Sequence, residues 1–422
     1  MRKIAIIGGG QAGLLLAFAL LEQRYQVSVY VDRAADDILH GRMLSTAMFF
    51  ADTLAFERQL GLNFWEDKAL YGEAIHVDFR TPNGDVMLPL TGFLHENRGI
   101  AMDQRTKYQR WLHEYRCRGG DLKIENVTPE ALAQIAKQHD LTIVAAGKGS
   151  ITGLFARDEQ RSVHSTPPRK LAAALVVGDD LCGANSWSEL PPQTLHFNFV
   201  AGAGEYFSMP FYSHTHGACR SFLFEAVPGG AMDVFDEVQT GQQMLEAIKQ
   251  LVPQITPDQA FRMVENMQLS DEQAWLKGAF CPQVRHPVAQ VEGEWVMGIG
   301  DTVMLNDPIA GQGANNATRM VQHYLAAILA HQDQAFDEQW MQATFESFWE
   351  QSGKYTTEFT NLLLNPPSAG LMSVLTAASQ NPRIADDFMG NFNHPQGFWP
   401  AVDGEQGAQR YLAREEFSHA AA

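Results

Sequence analysis

A chain of 422 residues with 49 acidic against 31 basic side chains has a formal charge of −18. That surface repels phosphate backbones and anionic lipids, which argues against nucleic-acid and membrane partners. The 45% hydrophobic and 10% aromatic content is that of an ordinary globular protein, and the length predicts two or three modules.

Lys3-Ile-Ala-Ile-Ile7 reads as a strand, Gly8-Gly-Gly10-Gln-Ala-Gly13 as a glycine turn, and an apolar helix follows. Val27-Ser-Val-Tyr-Val31 is a second strand, ending in Asp32. This is the order that a bound adenine dinucleotide needs. Gly8 permits the tight turn, Gly10 lets the backbone approach a pyrophosphate, and Gly13 lets the helix sit close on the sheet. The N–H groups of Gln11, Ala12 and Gly13 then face phosphate, and Asp32 is placed to accept from a ribose hydroxyl. Met1-Arg-Lys3 and the downstream Ala17-Phe-Ala19 superficially resemble a secretory signal. Cleavage there would destroy the glycine turn, so a cytoplasmic location is expected. The run Leu14 to Leu21 is too short to span a bilayer. Cys117, Cys182, Cys219 and Cys281 form no C-x-x-C, which predicts four buried, unpaired thiols and fits a reducing compartment.

After Gly41-Arg-Met-Leu-Ser-Thr46 and the pair Phe49-Phe50, residues 72–100 alternate apolar and polar and predict antiparallel strands. A helix is expected from about Asp103 to Arg118, with Tyr108, Trp111, Leu112 and Tyr115 on one face. Asp140 to Gly147 reads as another buried strand of the nucleotide sheet. Leu171–Val177, Leu195–Phe199 and Ser221–Phe224 read as strands, with helices near 232–252 and 256–266. Trp295 to Asp301 is a strand ending in an acid. Beyond the Asp307-Pro308 turn, Gly311-Gln-Gly-Ala-Asn315 opens a helix to about Ala330, and residues 336–422 are largely helical in pattern. Nucleotide-binding pieces thus come from the start, the middle and residues 295–330, interleaved with sheet-rich insertions. That interleaving argues against a hydride dehydrogenase with two sequential domains. The predicted division is 1–70, 101–165 and 280–330 for the nucleotide domain, 71–100 and 166–279 for a substrate domain, and 331–422 for a C-terminal helical region.

Gly8 to Gly13, Gly300-Asp301 and Pro308-Ile-Ala-Gly311-Gln-Gly313-Ala-Asn315 together resemble the flavin-dependent monooxygenases of the para-hydroxybenzoate hydroxylase type. The resemblance implies an α/β fold, with a Rossmann-like FAD-binding domain interleaved with a β-sheet-rich substrate domain, plus C-terminal helices. It implies that the first motif holds the adenosine half of FAD and that Asp301 reaches the ribityl chain. Pro308 to Asn315 would pass under the isoalloxazine, where a helix start at Gly311, Gly313, Ala314 and Asn315 favours negative charge at flavin N1/O2.

Self-sufficient aromatic hydroxylases carry an Asp-Gly element in the middle strand, where this chain has Ala145-Ala-Gly147-Lys148. Across nearly its whole length the sequence is instead similar to the two-component styrene and indole monooxygenases. The similarity rests on Val31-Asp-Arg33, Gly41-Arg-Met-Leu-Ser45, Met102-Asp-Gln-Arg105, Ala146-Gly-Lys148, Gly300-Asp301, Asp307 to Asn315 and Ala385-Asp-Asp-Phe-Met-Gly-Asn-Phe-Asn393. It adds Arg33, Arg42, Arg105 and Gly147 to the expected cofactor set and leaves a homodimer open. In that family a separate NADH-dependent flavin reductase supplies reduced FAD. The oxygenase adds O2 to form the C4a-hydroperoxyflavin and transfers oxygen to an electron-rich C=C bond.

The cofactor then carries the hard chemistry, and no catalytic side chain is expected. No G-x-S-x-G elbow, metal cluster or paired catalytic carboxylates stand in the sequence, and Lys148, followed by Gly149, is no P-loop lysine. His214-Thr-His216 reads as a surface pair, so no metal is expected. Styrene epoxidases of the family carry Asn where Ser45 stands, indole-oxidising relatives carry Ser, and Ile75 is also of the indole type; Ala47 and Phe49 match neither. The expected substrate is a small aromatic, indole, epoxidised at C2=C3 on the way to indigo, with styrene and sulfides as side substrates. The expected pocket comprises Ser45, Phe49, Ile75, Phe211 and Pro308. A self-contained NAD(P)H-dependent hydroxylase, a styrene monooxygenase proper and a Rossmann-like nucleotide or prenyl carrier stay open as alternatives.

Overall fold

Ile4, Ala5, Ile6 and Ile7 are apolar on both faces of their strand, which suits a parallel sheet covered by helices on each side. The computed structural model describes residues 2–147, 149–178, 190–414 and 417; Lys148 and Cys182 lie outside them. Lys3–Ile7 pairs in parallel with Gln26–Val31 on one side and with Leu141–Val144 on the other. Asp121–Ile124 extends the sheet beyond Gln26–Val31, and Glu294–Gly298 extends it beyond Leu141–Val144. An antiparallel edge strand, Val288–Val291, completes six strands among the described residues. The helix Gln11–Glu22 is buried on every face over Gln11 to Leu20 because it lies between this sheet and the helix Gly313–His331.

The remaining strands form a second, mostly antiparallel sheet. Its order runs Lys170–Val177, Gly217–Ala226, Gly204–Ser213, Thr194–Val200, Ala74–Arg80 and Val86–Phe93, with the short strand Gln268–Leu269 at the outer edge and Trp275–Gly278 also pairing Lys170–Val177. Ala74–Arg80 and Thr194–Val200 pair in parallel, so two chain segments more than a hundred residues apart share one sheet. Strand periodicity of two splits its side chains between two cores. Ala172, Ala174, Val176, Phe222 and Phe224 face the helix Gly241–Ile255. Ala173, Leu175, Leu223 and Phe207 face the C-terminal helices Ala369–Gln380 and Pro382–Gly390.

Two segments depart from expectation. Residues 232–240 are turns, because Thr240 starts the helix only at Gly241: its hydroxyl accepts from Gln243 N (3.2 Å), and Gln243 Oε1 accepts from Thr240 N (3.1 Å). Pro257–Arg262 is a 3₁₀ turn rather than a helix over 256–266. The C-terminal region also divides its packing. Met341, Phe345, Phe348 and Trp349 join the core of the nucleotide half, whereas Phe359, Val374, Phe388 and Phe398 join that of the second sheet. Of the cysteines, Cys219 is buried, but Cys117 is exposed and Cys281 half-buried, because the first ends a surface helix and the second lies in a loop.

An ion pair is sealed inside the nucleotide half. Lys107 Nζ donates to Glu57 Oε1 at 2.6 Å and lies 3.2 Å from the centre of the Phe49 ring. Both partners are almost fully buried. Burial pushes the Lys107 ammonium down to about 8 and the Glu57 carboxyl up, and each partner opposes the other's shift. Lys107→Met would strand the carboxylate and lower the unfolding free energy by roughly 3–5 kcal/mol. Adding Glu57→Gln to that variant should restore most of the loss in denaturant unfolding; an equal loss in both would assign the effect to packing instead of charge.

Candidate active site

Three turns meet at the carboxyl ends of the parallel strands. At the first, Gly8 has φ +129°, and a methyl group there would lie 2.4 Å from Ala145 O. A methyl on Gly13 would lie 2.1 Å from Gly8 O. Both glycines therefore serve the close packing of strand, turn and helix. Gly10 differs, since a methyl on it would meet no protein atom within 4 Å. It faces open space. Leu14 N bonds back to Gly10 O (3.0 Å) and begins the helical ladder, so the N–H groups of Gln11, Ala12 and Gly13 stand ahead of it. Asp32 is exposed at the tip of its strand, 3.5 Å from Arg33 Nε.

The second turn seats directly on the first. Gly300 has φ +61°, and a methyl on it would lie 3.1 Å from Ala12 Cβ. Gly147 looks at Asp301, whose Cβ would be 3.4 Å from a methyl there. The hydroxyls of Thr152 and Thr302 both donate to Ala146 O, at 2.8 and 2.9 Å, and Arg285 Nη1 donates to Asp301 O and Thr302 O. No motif in the sequence marks these three side chains; their role comes from where the fold places buried carbonyls. The Asp301 carboxyl is open to the cleft yet set deep in the protein. That desolvation raises it to about 6, with Arg285 opposing.

The third turn begins at Asp307, whose Oδ1 accepts from Ile309 N at 3.1 Å. Gly311 is left-handed (φ +61°), and Asn316 N bonds to Gln312 O (2.7 Å) to start the next helical ladder. Methyl groups on Gly311 or Gly313 would again meet no protein atom within 4 Å. Ala314 is half-buried beside them. Sterically open glycines thus stand at both helix starts, backed by N–H groups that precede the first helical bond, an arrangement that fits an extended dinucleotide.

Several expected ligands are engaged elsewhere. Asn315 accepts from Phe50 N (3.0 Å) and Thr53 Oγ1 (2.9 Å) and donates to Met48 O (2.8 Å) and Gly311 O (2.9 Å). Its amide is saturated, and only its N–H is left for a cofactor. Gln11 Nε2 donates to Glu57 (2.9 Å) and Thr318 (3.3 Å), pointing away from the cleft. Arg105 is fully buried, and its donors go to Asp103, to Asp271 and to Gly41 O. It has no donor left for a phosphate. Arg42 is exposed and stacks on Trp275 at 4.9 Å.

Ile75 and Phe211 share one buried apolar cluster with Met43, Met48, Phe50 and Ile309. Pro308 is half-buried at the edge of that wall, and Ser45 is half-buried with its hydroxyl donating to Thr46 O (3.1 Å). Phe49 does not line the wall. Strand alternation turns it into the opposite core, under Lys107, and puts Phe50 on the wall side. Of His214 and His216, only His216 is exposed at the surface. His214 lies 3.6 Å from Asp103 Oδ2, while His216 is bonded to Thr215 Oγ1 (3.0 Å). Asp103, His214 and Asp271 could converge on a cation, but the Arg105 guanidinium already bridges the two acids.

Residues 147–262 match the family model described as "Styrene monooxygenase A putative substrate binding domain". Over 418 residues, 94% of each chain, the sequence is 28% identical to "Styrene monooxygenase StyA" of Pseudomonas fluorescens and equally so to that of a Pseudomonas sp. The solved structure of the flavin-dependent brominase Bmp2 superposes with a TM-score of 0.67 at 13% identity, covering 97% of both chains. The flavin-dependent halogenase CmlS gives 0.63 at 14% identity, over 98% of this chain and 76% of its own. The fold is that of the para-hydroxybenzoate hydroxylase type. Among the described residues, no helix is long and apolar enough to cross a membrane. Over nearly all of both chains the protein is similar to styrene monooxygenase StyA, and its fold is that of the flavin-dependent monooxygenases and halogenases.

Proposed function

We propose that this protein is the oxygenase component of a two-component, FAD-dependent monooxygenase that epoxidises the C2=C3 bond of indole, and also acts on styrene and sulfides. The observation that carries the reading is the packing of three distant glycine turns on one another, with sterically open glycines at both helix starts and an apolar cluster that holds Ile75, Phe211 and Ile309. In this reading the N–H groups of Gln11 to Gly13 hold the pyrophosphate, Asp32 a ribose hydroxyl, and Asp301 the ribityl chain. The N–H groups of Gly313 to Asn315 complement charge on the ring. Reduced FAD, delivered by a separate NADH-dependent reductase, would supply with O2 the electrophilic oxygen. The protein's own part is to orient the alkene and exclude water. Ile75, Phe211, Phe50 and Ile309 provide a dry surface for it. Ser45 supports indole because its small hydroxyl side chain leaves more room at the wall than the Asn of styrene epoxidases.

Asp301 offers a test of the cofactor assignment. Its folded pKa lies above that of an unfolded Asp, so between the two values the folded state binds more protons and ionisation lowers stability as pH rises. Asp301→Asn should therefore raise Tm at about pH 8, with the gain shrinking as pH falls through about 6. The same variant should hold FAD more weakly in equilibrium dialysis. Unchanged FAD affinity would remove Asp301 from the cofactor site.

The activity itself is tested with purified protein, FAD, NADH and indole, with and without an unrelated flavin reductase, catalase being present. Indigo formed only with the reductase is the expected result. Indigo without it would favour a self-sufficient hydroxylase, and product from styrene but never from indole would overturn the indole assignment.

A further inference from the structure

Glu205 and Glu225 are direct partners on the neighbouring strands Gly204–Ser213 and Gly217–Ala226. Both are buried, Glu225 completely. Two ionised carboxylates opposite each other in a sheet repel. Glu205 is compensated, since Arg169 Nε and Nη2 donate to its two oxygens at 2.6 and 2.8 Å. The remaining Arg169 bonds go to the carbonyls of Pro168 and Leu364. Glu225 is not compensated. Neither of its oxygens accepts a hydrogen bond from any N–H or O–H donor among the described residues.

What Glu225 does face is Asp307, within hydrogen-bonding reach, with Glu205 and Arg169 behind. Asp307 is itself 2% exposed. Three carboxyl groups thus share one guanidinium in a place closed to water. A carboxylate with no donor is not tolerated there, whereas two facing carboxyl groups are stable when one proton lies between them.

We propose that Glu225 is a positioning residue that keeps one proton and donates it in a hydrogen bond to Asp307, fixing the carboxylate that caps the Pro308–Ala310 turn. Asp307 Oδ1 already accepts from Ile309 N, so the proton of Glu225 sets the other side of the same carboxylate. The one proton then serves both facing carboxyl groups, and one surplus negative charge fewer is buried. Burial pushes the Glu225 carboxyl well above the usual carboxylate range; Asp307 and Glu205 push it the same way, and Arg169 acts against them. The link to catalysis rests on the proposed function, in which this turn meets the flavin.

Infrared spectroscopy and pH-dependent unfolding of wild type and Glu225→Gln test the proton without any turnover. The wild type should show the carbonyl stretch of a neutral carboxylic acid at neutral pH, and Glu225→Gln should lack it. Since the folded pKa lies above the unfolded one, wild-type Tm should fall, as pH rises above the ordinary carboxylate range, more steeply than that of Glu225→Gln. A shared spectrum and a shared slope would show that Glu225 is ionised and overturn the proposal. The positioning role is read from the fraction of reduced flavin that yields oxygenated product. Glutamine, still a donor, should stay within about twofold of wild type, and Glu225→Ala should lose about tenfold or more. Equal losses in both variants would overturn the donor role. If the wild type oxygenates nothing, the proposed function fails, while the infrared and unfolding results still decide the proton.

Discussion

The architecture depends on backbone crossings where no Cβ can stand. Gly8 lies against Ala145, Gly13 against Gly8, and Gly300 against Ala12, each closer than a side chain permits or nearly so. One methyl group at Gly13 would lift the opening helix from the sheet. The Gly300 turn sits on the first residues of that helix, so it would be displaced in turn, carrying Asp301 away from Gly147. Three segments far apart in sequence therefore share a geometry that none could hold alone. At Gly10, Gly311 and Gly313, by contrast, a side chain would meet no protein atom within 4 Å.

The second constraint is the fate of carbonyls where loops of the nucleotide half meet. Loops carry no ladder of their own, so each enclosed C=O needs a side-chain donor. Asn315 supplies one to Met48 and one to Gly311, Arg105 one to Gly41, and Thr152 and Thr302 both serve Ala146. These bonds tie the separate segments of the nucleotide half to one another. They also explain why polar residues near a cofactor motif need not touch a cofactor.

Much of this was legible in the residues. Strand, glycine turn, helix and acid fall at Lys3 to Asp32 as the chemistry requires, and Ala74 to Phe93 alternates as a hairpin does. Backbone geometry and period-two patterning are local properties, so a local reading finds them. The destinations of long side chains are not local. Arg105 reads equally well as a phosphate ligand until Asp271, far along the chain, is seen beneath it. Phe49 and Phe50 are likewise interchangeable in composition, and only the register of the short strand Met48–Phe49 against Gly99–Ala101 decides which faces the wall. Glu225 was invisible for the same reason, since its isolation exists only once Glu205 has taken Arg169.

The disposition of charge at this seam also bears on which aromatic the wall suits. An anionic substrate such as a benzoate would need an uncommitted cation beside the apolar cluster of Ile75, Phe211 and Ile309. Arg105 is held by Asp103 and Asp271, and Arg169 by Glu205, so neither guanidinium carries net charge to spare. The nearby acids Glu225 and Asp307 make the turn still less hospitable to a second anion. A neutral ring meets no such penalty, and its burial against these side chains is favourable in proportion to the apolar area covered. On the proposed function, an uncharged arene or alkene is therefore the substrate class that this apolar cluster suits best.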